Sequence, residues 1–494
     1  MSDDARMQVP AREIAAGIRS GRFSAAEVVE AHIRRIEVVN PCLNALVADR
    51  FEAARAEART ADRELRASGP GGDRPLLGVP FTVKEMIAVD GMPLTFGCRS
   101  RVGIVAGRDA TVVARLRAAG AIPLGVTNVP EWGMWFESYN SVYGRTRNPW
   151  DPGRTPGGSS GGEGAIVGAG GSAFGVGSDI GGSVRMPAAF CGTYGHKPGS
   201  GLLPLTGHYP IYADGDRVGP QRKSPYLAIG PLTRSARDIP LLLRVMAGPD
   251  GVDPNACAMA MGDADAVEWR DRPVVLLPAP DIARARRASP DAQRVVRWAG
   301  RILEERGAAV TEAPPALLRR AGDAWFAALQ SVGGPAFTEV LGGANGVRLL
   351  PEIAATLFGR GRYSWPALFF CIGEAIGRKG EAGLRRALAE GEAIRGAFTR
   401  LTGEDGVLIA PVSPRAAPRH NEPALFAFDF LYTAVFNSLR VPATAAPMGF
   451  DGDGLPLAVQ VAAARGNDHV TIAAAMALED ATGPWRPAPA MKAA

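Results

Sequence analysis

The sequence predicts an α/β fold wound around one sheet. Two observations carry that reading: short apolar runs alternate with helical patterns before residue 140, and the same rhythm resumes after residue 235. Near the N-terminus, Ser24 followed three residues later by Glu27 forms a capping box. Val28, Ile33, Ile36 and Val39 then recur at helical spacing, so a helix is expected as far as Pro41. A second helix, rich in Ala, Arg and Glu, is expected around 44–68. Residues 76–83 read as a buried strand, 110–119 as a helix and 121–126 as a strand. Residues 140–235 are dominated by Gly, Ser and Pro and read as loop-rich. Beyond them a strand is expected at 274–277, a helix at 291–306, a strand at 407–410, and a closing strand and helix at 459–462 and 470–478. The stretch 316–400 breaks the rhythm with a helical pattern and an aromatic cluster at Tyr363, Trp365, Phe369 and Phe370, and reads as a helical insertion capping a pocket. No repeat or polar linker divides the chain. One domain over 1–494 is therefore expected, with N-terminal helices in 1–70, the core in 71–315, the insertion in 316–400 and the last part of the core sheet in 401–494.

Composition excludes several classes. The 55 basic and 50 acidic residues are interspersed, whereas a nucleic-acid binder concentrates Lys and Arg on one element. The densest basic run, 284–287, sits beside an expected helix start and reads as solvated surface. Five Cys lie far apart with no C-x-x-C, and five His are dispersed, so no metal or cofactor is expected and the thiols read as free in a reducing cytoplasm. The N-terminus lacks an apolar h-region, and no apolar run reaches the roughly 18 residues that span a bilayer. A soluble, cytoplasmic protein with no membrane or nucleic-acid partner follows as the expectation. The residues leave the oligomeric state open, a homodimer included.

The informative tract begins at Gly157. Gly157-Gly158-Ser159-Ser160-Gly161 fits the G-x-S-x-G nucleophile elbow, for which His420 or His469 would serve as later partners by chain order. An elbow follows a buried strand directly, however, and here turn chemistry precedes it: Asn148-Pro149-Trp150-Asp151-Pro152. The dinucleotide-like match at 168–173 lacks its preceding strand and following helix, and no Gly-Lys-Ser/Thr supports phosphate binding.

Asp179-Ile180-Gly181-Gly182-Ser183 offers more. Two glycines before a serine let successive N–H groups converge into an anion-binding nest, and a serine at its end has donors ready for a developing alkoxide. A plain structural turn accounts for these residues equally well. A serine nucleophile also needs a base. His196 is nearest by sequence, but Lys84 ends the apolar run 78–83, and burial at a strand end lowers an amine below its free pKa of about 10.4.

Together these residues resemble the amidase signature family. The resemblance spans nearly the whole chain in nine ordered blocks: GVPFTVKE (78–85), TNVPEW (127–132), YGRTRNPW (143–150), GGSSGGEG (157–164), GSDIGGSVRMPAAFCGTYGHKP (177–198), GPLTRSARD (230–238), APVSP (410–414), FNSLRVPA (436–443) and GLPLAVQV (454–461). Within the family, the GHKP segment and the Tyr-Gly-Arg block look most like the fatty-acid-amide-hydrolase-like branch. The resemblance implies a large, twisted, mixed sheet between layers of helices, and a Ser–cis-Ser–Lys triad. Carried over, Ser183 is the nucleophile, Ser159 the bridging serine with a cis peptide and Lys84 the base. The N–H groups of Ile180, Gly181, Gly182 and Ser183 would form an oxyanion hole, with Ser160, Asp179 and Arg185 holding the loops. Glu85 and Pro130 are mild departures from the family pattern, and neither touches the triad.

Substrate expectations are coarser. Trp132, Met134, Trp135, Phe136 and Tyr139 form an aromatic-rich run beside a family substrate loop, and residues 205–226 read as a mobile flap. Both favour small apolar or aryl amides, with carbamates and esters as variants. The rival reading is a glutaminase subunit of a tRNA-dependent amidotransferase, which shares the signature.

Overall fold

The computed structural model describes residues 9–68, 74–208, 224–333, 336–342 and 346–489. Among the described residues thirteen strands are formed: β1 (Leu46–Asp49), β2 (Pro80–Lys84), β3 (Ile122–Thr127), β4 (Tyr139–Asn140), β5 (Gly144–Arg145), β6 (Phe174–Asp179), β7 (Tyr194–Lys197), β8 (Ala228–Thr233), β9 (Pro273–Leu276), β10 (Ala309–Glu312), β11 (Val407–Pro411), β12 (Ala443–Phe450) and β13 (Pro456–Ala463). Eleven of them make one sheet in the order β1-β3-β2-β6-β8-β7-β12-β13-β11-β9-β10, while β4 and β5 form a separate hairpin. The sheet is mixed. Pairs β2–β3, β2–β6, β9–β10 and β9–β11 are parallel, and the other six are antiparallel. Strands β2, β3, β6, β8, β11 and β13 are buried along their whole length. Near-continuous apolar runs therefore replace the alternation of a one-sided sheet, because helices cover both faces.

The capping box forms as the sequence indicates: Ser24 Oγ accepts from the Glu27 N–H at 3.1 Å, and Glu27 Oε2 accepts from the Ser24 N–H at 2.8 Å. The helix it starts, Ala25–Leu43, runs through Pro41 rather than ending there. Pro41 sits in the last turn, so few backbone bonds are left for its missing N–H to interrupt, and Asn44 in the left-handed region makes the stop.

Two expectations are corrected. Residues 44–68 are not one helix; β1 comes first, pairing antiparallel with β3, and the helix Phe51–Ser68 follows. Residues 140–235 are not mainly loop, since helices Gly161–Gly168 and Arg185–Cys191 and strands β6, β7 and β8 lie within them. The glycines of the first helix are packing residues. A Cβ on Gly162 would meet Asn128 N at 2.5 Å, and one on Gly164 would meet Pro187 O at 2.8 Å. Residues 316–400 are helical, as Ala321–Ser331, Phe337–Gly342, Leu349–Leu357, Trp365–Gly377 and Glu381–Thr402. Among the described residues no helix is long and apolar enough to cross a membrane.

Replacing Ser24 by Ala removes one side of the capping box. The expected result is a loss of about 1 kcal/mol of unfolding free energy, read as a lower urea midpoint at unchanged slope.

Candidate active site

Parallel neighbours β2, β3 and β6 deliver their C-terminal ends to one edge of the sheet, which is where open α/β sheets place their ligands. Lys84 is the last residue of β2, and Ser178 and Asp179 close β6. Against them lies the loop before helix Gly161–Gly168, which carries a cis peptide bond between Gly158 and Ser159.

Lys84 is 1% exposed. Its Nζ donates to Ser159 Oγ at 2.6 Å and to Ser178 Oγ at 2.9 Å. Burial pushes its pKa down to about 7, against the opposing pull of the Asp179 and Glu163 carboxylates. Glu163 is fully buried, taking a hydrogen bond from Thr82 Oγ1 on Oε2 and from Thr127 Oγ1 on Oε1, both at 2.7 Å. Room for this carboxyl exists because residue 175 is glycine, where a Cβ would stand 1.9 Å from Glu163 Oε2. Burial pushes Glu163 up to about 8, so desolvation shifts both groups toward their uncharged forms.

Ser183 follows the turn at the tip of β6 and faces the same cavity as Ser159. Asp179 and Arg185 hold this turn, with Arg185 Nε and Nη2 donating to Asp179 Oδ2 and Oδ1, each at 3.0 Å. Arg185 Nη1 also donates to Thr433 O and Gln460 Oε1 at 3.0 and 2.7 Å, and Nη2 to Asn437 Oδ1 at 2.7 Å. Burial alone would raise the Asp179 pKa, but Arg185 holds it well below the usual carboxylate range. Ser160 braces the other side, its N–H donating to Ser183 O at 3.2 Å and its Oγ accepting from the Ser178 N–H at 3.3 Å.

The nest differs from expectation at Gly182. Its N–H already donates to Asp179 Oδ1 at 2.8 Å, so it is not a donor for a bound anion. Gly182 is required for another reason: φ is +122°, and a Cβ would lie 2.0 Å from Thr433 Oγ1. Among the described residues, the N–H groups of Ile180, Gly181 and Ser183 donate to no group of the chain. Two carbonyls of the turn are held from outside. Ile180 O accepts from Trp325 Nε1 at 2.8 Å, and Gly181 O from Thr433 Oγ1 at 2.7 Å.

Lys84, Ser159, Ser178 and Ser183 open onto a cavity of about 290 Å³ whose walls are mostly apolar. Met134, Trp135 and Phe136 form one wall, and Trp325, Leu329 and Phe370 from the helical stretch form another. Tyr139 is not part of it. It sits on the β4–β5 hairpin, half-buried, with the Arg145 guanidinium 5.0 Å above its ring. His196 is likewise elsewhere, its ring nitrogens bonded to Thr444 Oγ1 at 2.9 Å and Asp468 Oδ1 at 3.2 Å. Of the expected flap, residues 209–223 lie outside the described residues, while His208 lines the cavity. Sequence reasoning missed Ser178 and Glu163, which lie inside quoted motifs. It also missed Asn437 and Gln460, likewise inside quoted motifs, and Trp325 and Thr433, which no local signal connects to the site.

The fold places this buried Lys–Ser arrangement at a sheet edge, and comparison with known proteins supplies the family. A family model described as Amidase matches residues 27–472. The chain belongs to the amidase family, and it is a hydrolase acting on amides. It is 39% identical to fatty-acid amide hydrolase 2-B of Danio rerio, covering 97% of this chain and 90% of that one. It is 33% identical to a glutamyl-tRNA(Gln) amidotransferase subunit of Thermus thermophilus, covering 96% and 97%. The solved structure of 6-aminohexanoate cyclic dimer hydrolase complexed with substrate superposes with a TM-score of 0.80 at 28% identity, covering 98% of this chain and 100% of that one.

Arg185→Met leaves Asp179 as an uncompensated buried carboxylate, and a loss of about 3–5 kcal/mol of stability is expected in chemical denaturation at neutral pH. Because Asp179 is depressed in the folded state, the pair's contribution is present above the unfolded carboxylate pKa of about 3.9. It is lost as the pH falls through the folded value, so variant and wild type should converge in acid.

Proposed function

We propose that this chain cleaves the C–N bond of small apolar or aryl amides through an acyl-enzyme on Ser183, with Ser159 as proton relay and Lys84 as base. The observation that carries the reading is the short Lys84 Nζ–Ser159 Oγ contact at 2.6 Å, made by a buried amine whose pKa lies near 7, in the cavity that Ser183 also faces. Neutral Lys84 takes the Ser159 proton while Ser159 takes that of Ser183, whose oxygen adds to the amide carbon. The N–H groups of Ile180, Gly181 and Ser183 receive the negative charge that grows on the carbonyl oxygen. The relay then runs backwards, returning the proton to the leaving nitrogen as the C–N bond breaks. Water resolves the acyl-enzyme by the same two proton transfers. The apolar walls favour an apolar or aromatic acyl or amine group, and carbamates or esters of similar shape fit the same chemistry. Five free cysteines accord with a reducing, cytoplasmic setting.

The glutaminase reading is the weaker one. Identity is higher to the fatty-acid amide hydrolase than to the amidotransferase component, and the aromatic walls offer a glutamine side chain little to bind.

Fluorophosphonate labelling tests the nucleophile: wild type should label and Ser183→Ala should not, and full labelling of that variant would sink the assignment. A panel of anilides, primary amides, carbamates and glutamine then separates the substrate readings, glutamine alone being cleaved if the rival holds. Lys84→Ala should lower kcat/KM by about 10²–10⁴-fold. In wild type kcat/KM should rise with pH through about 7, since the working form of Lys84 is the deprotonated one. A profile flat from pH 5 to 9 would contradict the role given to Lys84.

A further inference from the structure

Among the described residues, the ionisable groups lining the cavity are Lys84 and His208 near the serines, and Glu374 and Arg378 on the helical stretch. Helix Ala321–Ser331 contacts the segments that carry the two sets. Trp325 Nε1 bonds Ile180 O beside the Ser183 turn, and further along the same helix Gln330 grips the backbone of Lys379. Its Nε2 donates to Lys379 O at 2.8 Å, and its Oε1 accepts from the Lys379 N–H at 3.1 Å. At about 1.5 Å of rise per residue, these two contacts stand roughly 7–8 Å apart along the helix.

Two adjacent cations sit at the far contact, and they are treated differently. Lys379 Nζ is neutralised by Asp323 Oδ1 at 3.2 Å. Arg378 is exposed, lines the cavity, and makes no ion pair among the described residues. Its backbone is held by the clamp on Lys379 after it and by its own N–H, which donates to Glu374 O at 2.9 Å. Glu374, one turn earlier, could have quenched it. Instead Glu374 Oε2 accepts from the Phe337 N–H at 2.7 Å, and no ion pair joins it to Arg378.

The geometry points to Arg378 as the docking group for a carboxylate at the far end of the substrate, opposite the scissile amide. This rests on the amide-hydrolase reading above and names its substrate class: an amide whose acyl part is an apolar spacer of medium length ending in an anion. Trp325, Leu329 and Phe370 would flank the spacer. Guanidinium matches a carboxylate with two parallel hydrogen bonds. Among the described residues, the near-end basic groups that line the cavity, His208 and Lys84, are both shifted toward their neutral forms. Burial holds His208 well below its ordinary pKa, and Lys84 favours its neutral form above about 7.

The test separates binding from turnover. In full-length chain carrying Ser183→Ala, calorimetry measures Kd for the mono-para-nitroanilide of a medium-chain dicarboxylic acid and for the para-nitroanilide of the matching fatty acid. The carboxylate-bearing ligand should gain affinity relative to the plain one. Adding Arg378→Ala should shrink that Kd ratio by about tenfold. Arg378→Lys should keep part of it, and Glu374→Gln should widen it by relieving repulsion. A ratio unchanged within twofold by Arg378→Ala, or no measurable binding of the carboxylate ligand, overturns the inference. Cleavage of either anilide by wild type is scored separately and bears on the amide-hydrolase reading alone.

Discussion

The buried ion pair between Arg185 and Asp179 is the contact on which the candidate site hangs. Taking two charges out of water costs several kcal/mol per ion, and their attraction offsets this only where the remaining polar atoms are also matched. Here the matching is complete on the cation. A guanidinium has five N–H donors, and Arg185 places them on both Asp179 oxygens, Thr433 O, Gln460 Oε1 and Asn437 Oδ1. Those partners come from β6, from helix Leu431–Ser438 and from β13, segments remote in sequence. The pair thereby fixes the turn that carries Ser183 against the C-terminal part of the sheet.

That arrangement explains which parts of the molecule were legible in the sequence. Lys84 was readable because one unbroken apolar run leads into it, and burial along β2 is a local property. The capping box at Ser24 and Glu27 was readable for the same reason. The helix Gly161–Gly168 was not, because its glycines carry the signature of a loop while serving close contact with Asn128, Pro187 and Cys191. Strand β1 is only four residues long, with a single buried position, so no alternation stood out. Gly182 shows the finer limit. Its φ near +122° fits the expectation of a nest, but which N–H groups point inward depends on Asp179, whose orientation is set by Arg185 and Asn437 from afar.

The aromatic walls tell a similar story. Trp135 stands out in its local run and lies in the cavity, yet its ring meets Phe370 edge-on at 6.0 Å, a partner from the helical stretch. Trp325 meets Phe430 at 5.1 Å and also holds Ile180 O. A residue that shapes the pocket and secures the turn couples substrate fit to the geometry of the N–H groups. Tyr139, from the same sequence run as Trp135, faces away because the hairpin reverses the chain at that point.

Burial acts on two acid–base pairs in this site and leads to opposite outcomes. The Arg185 guanidinium keeps Asp179 ionised beside it, against the burial that would otherwise neutralise a carboxylate. Lys84 and Glu163 lack such a partner. Their neighbours are the hydroxyls of Ser159, Ser178, Thr82 and Thr127, which accommodate either protonation state, and desolvation decides in favour of the neutral forms. Asp179 also acts on Lys84, pulling its pKa upward. Arg185 thus does more than lock a turn. By keeping Asp179 ionised, it also sustains the upward pull that this carboxylate exerts on Lys84 against desolvation.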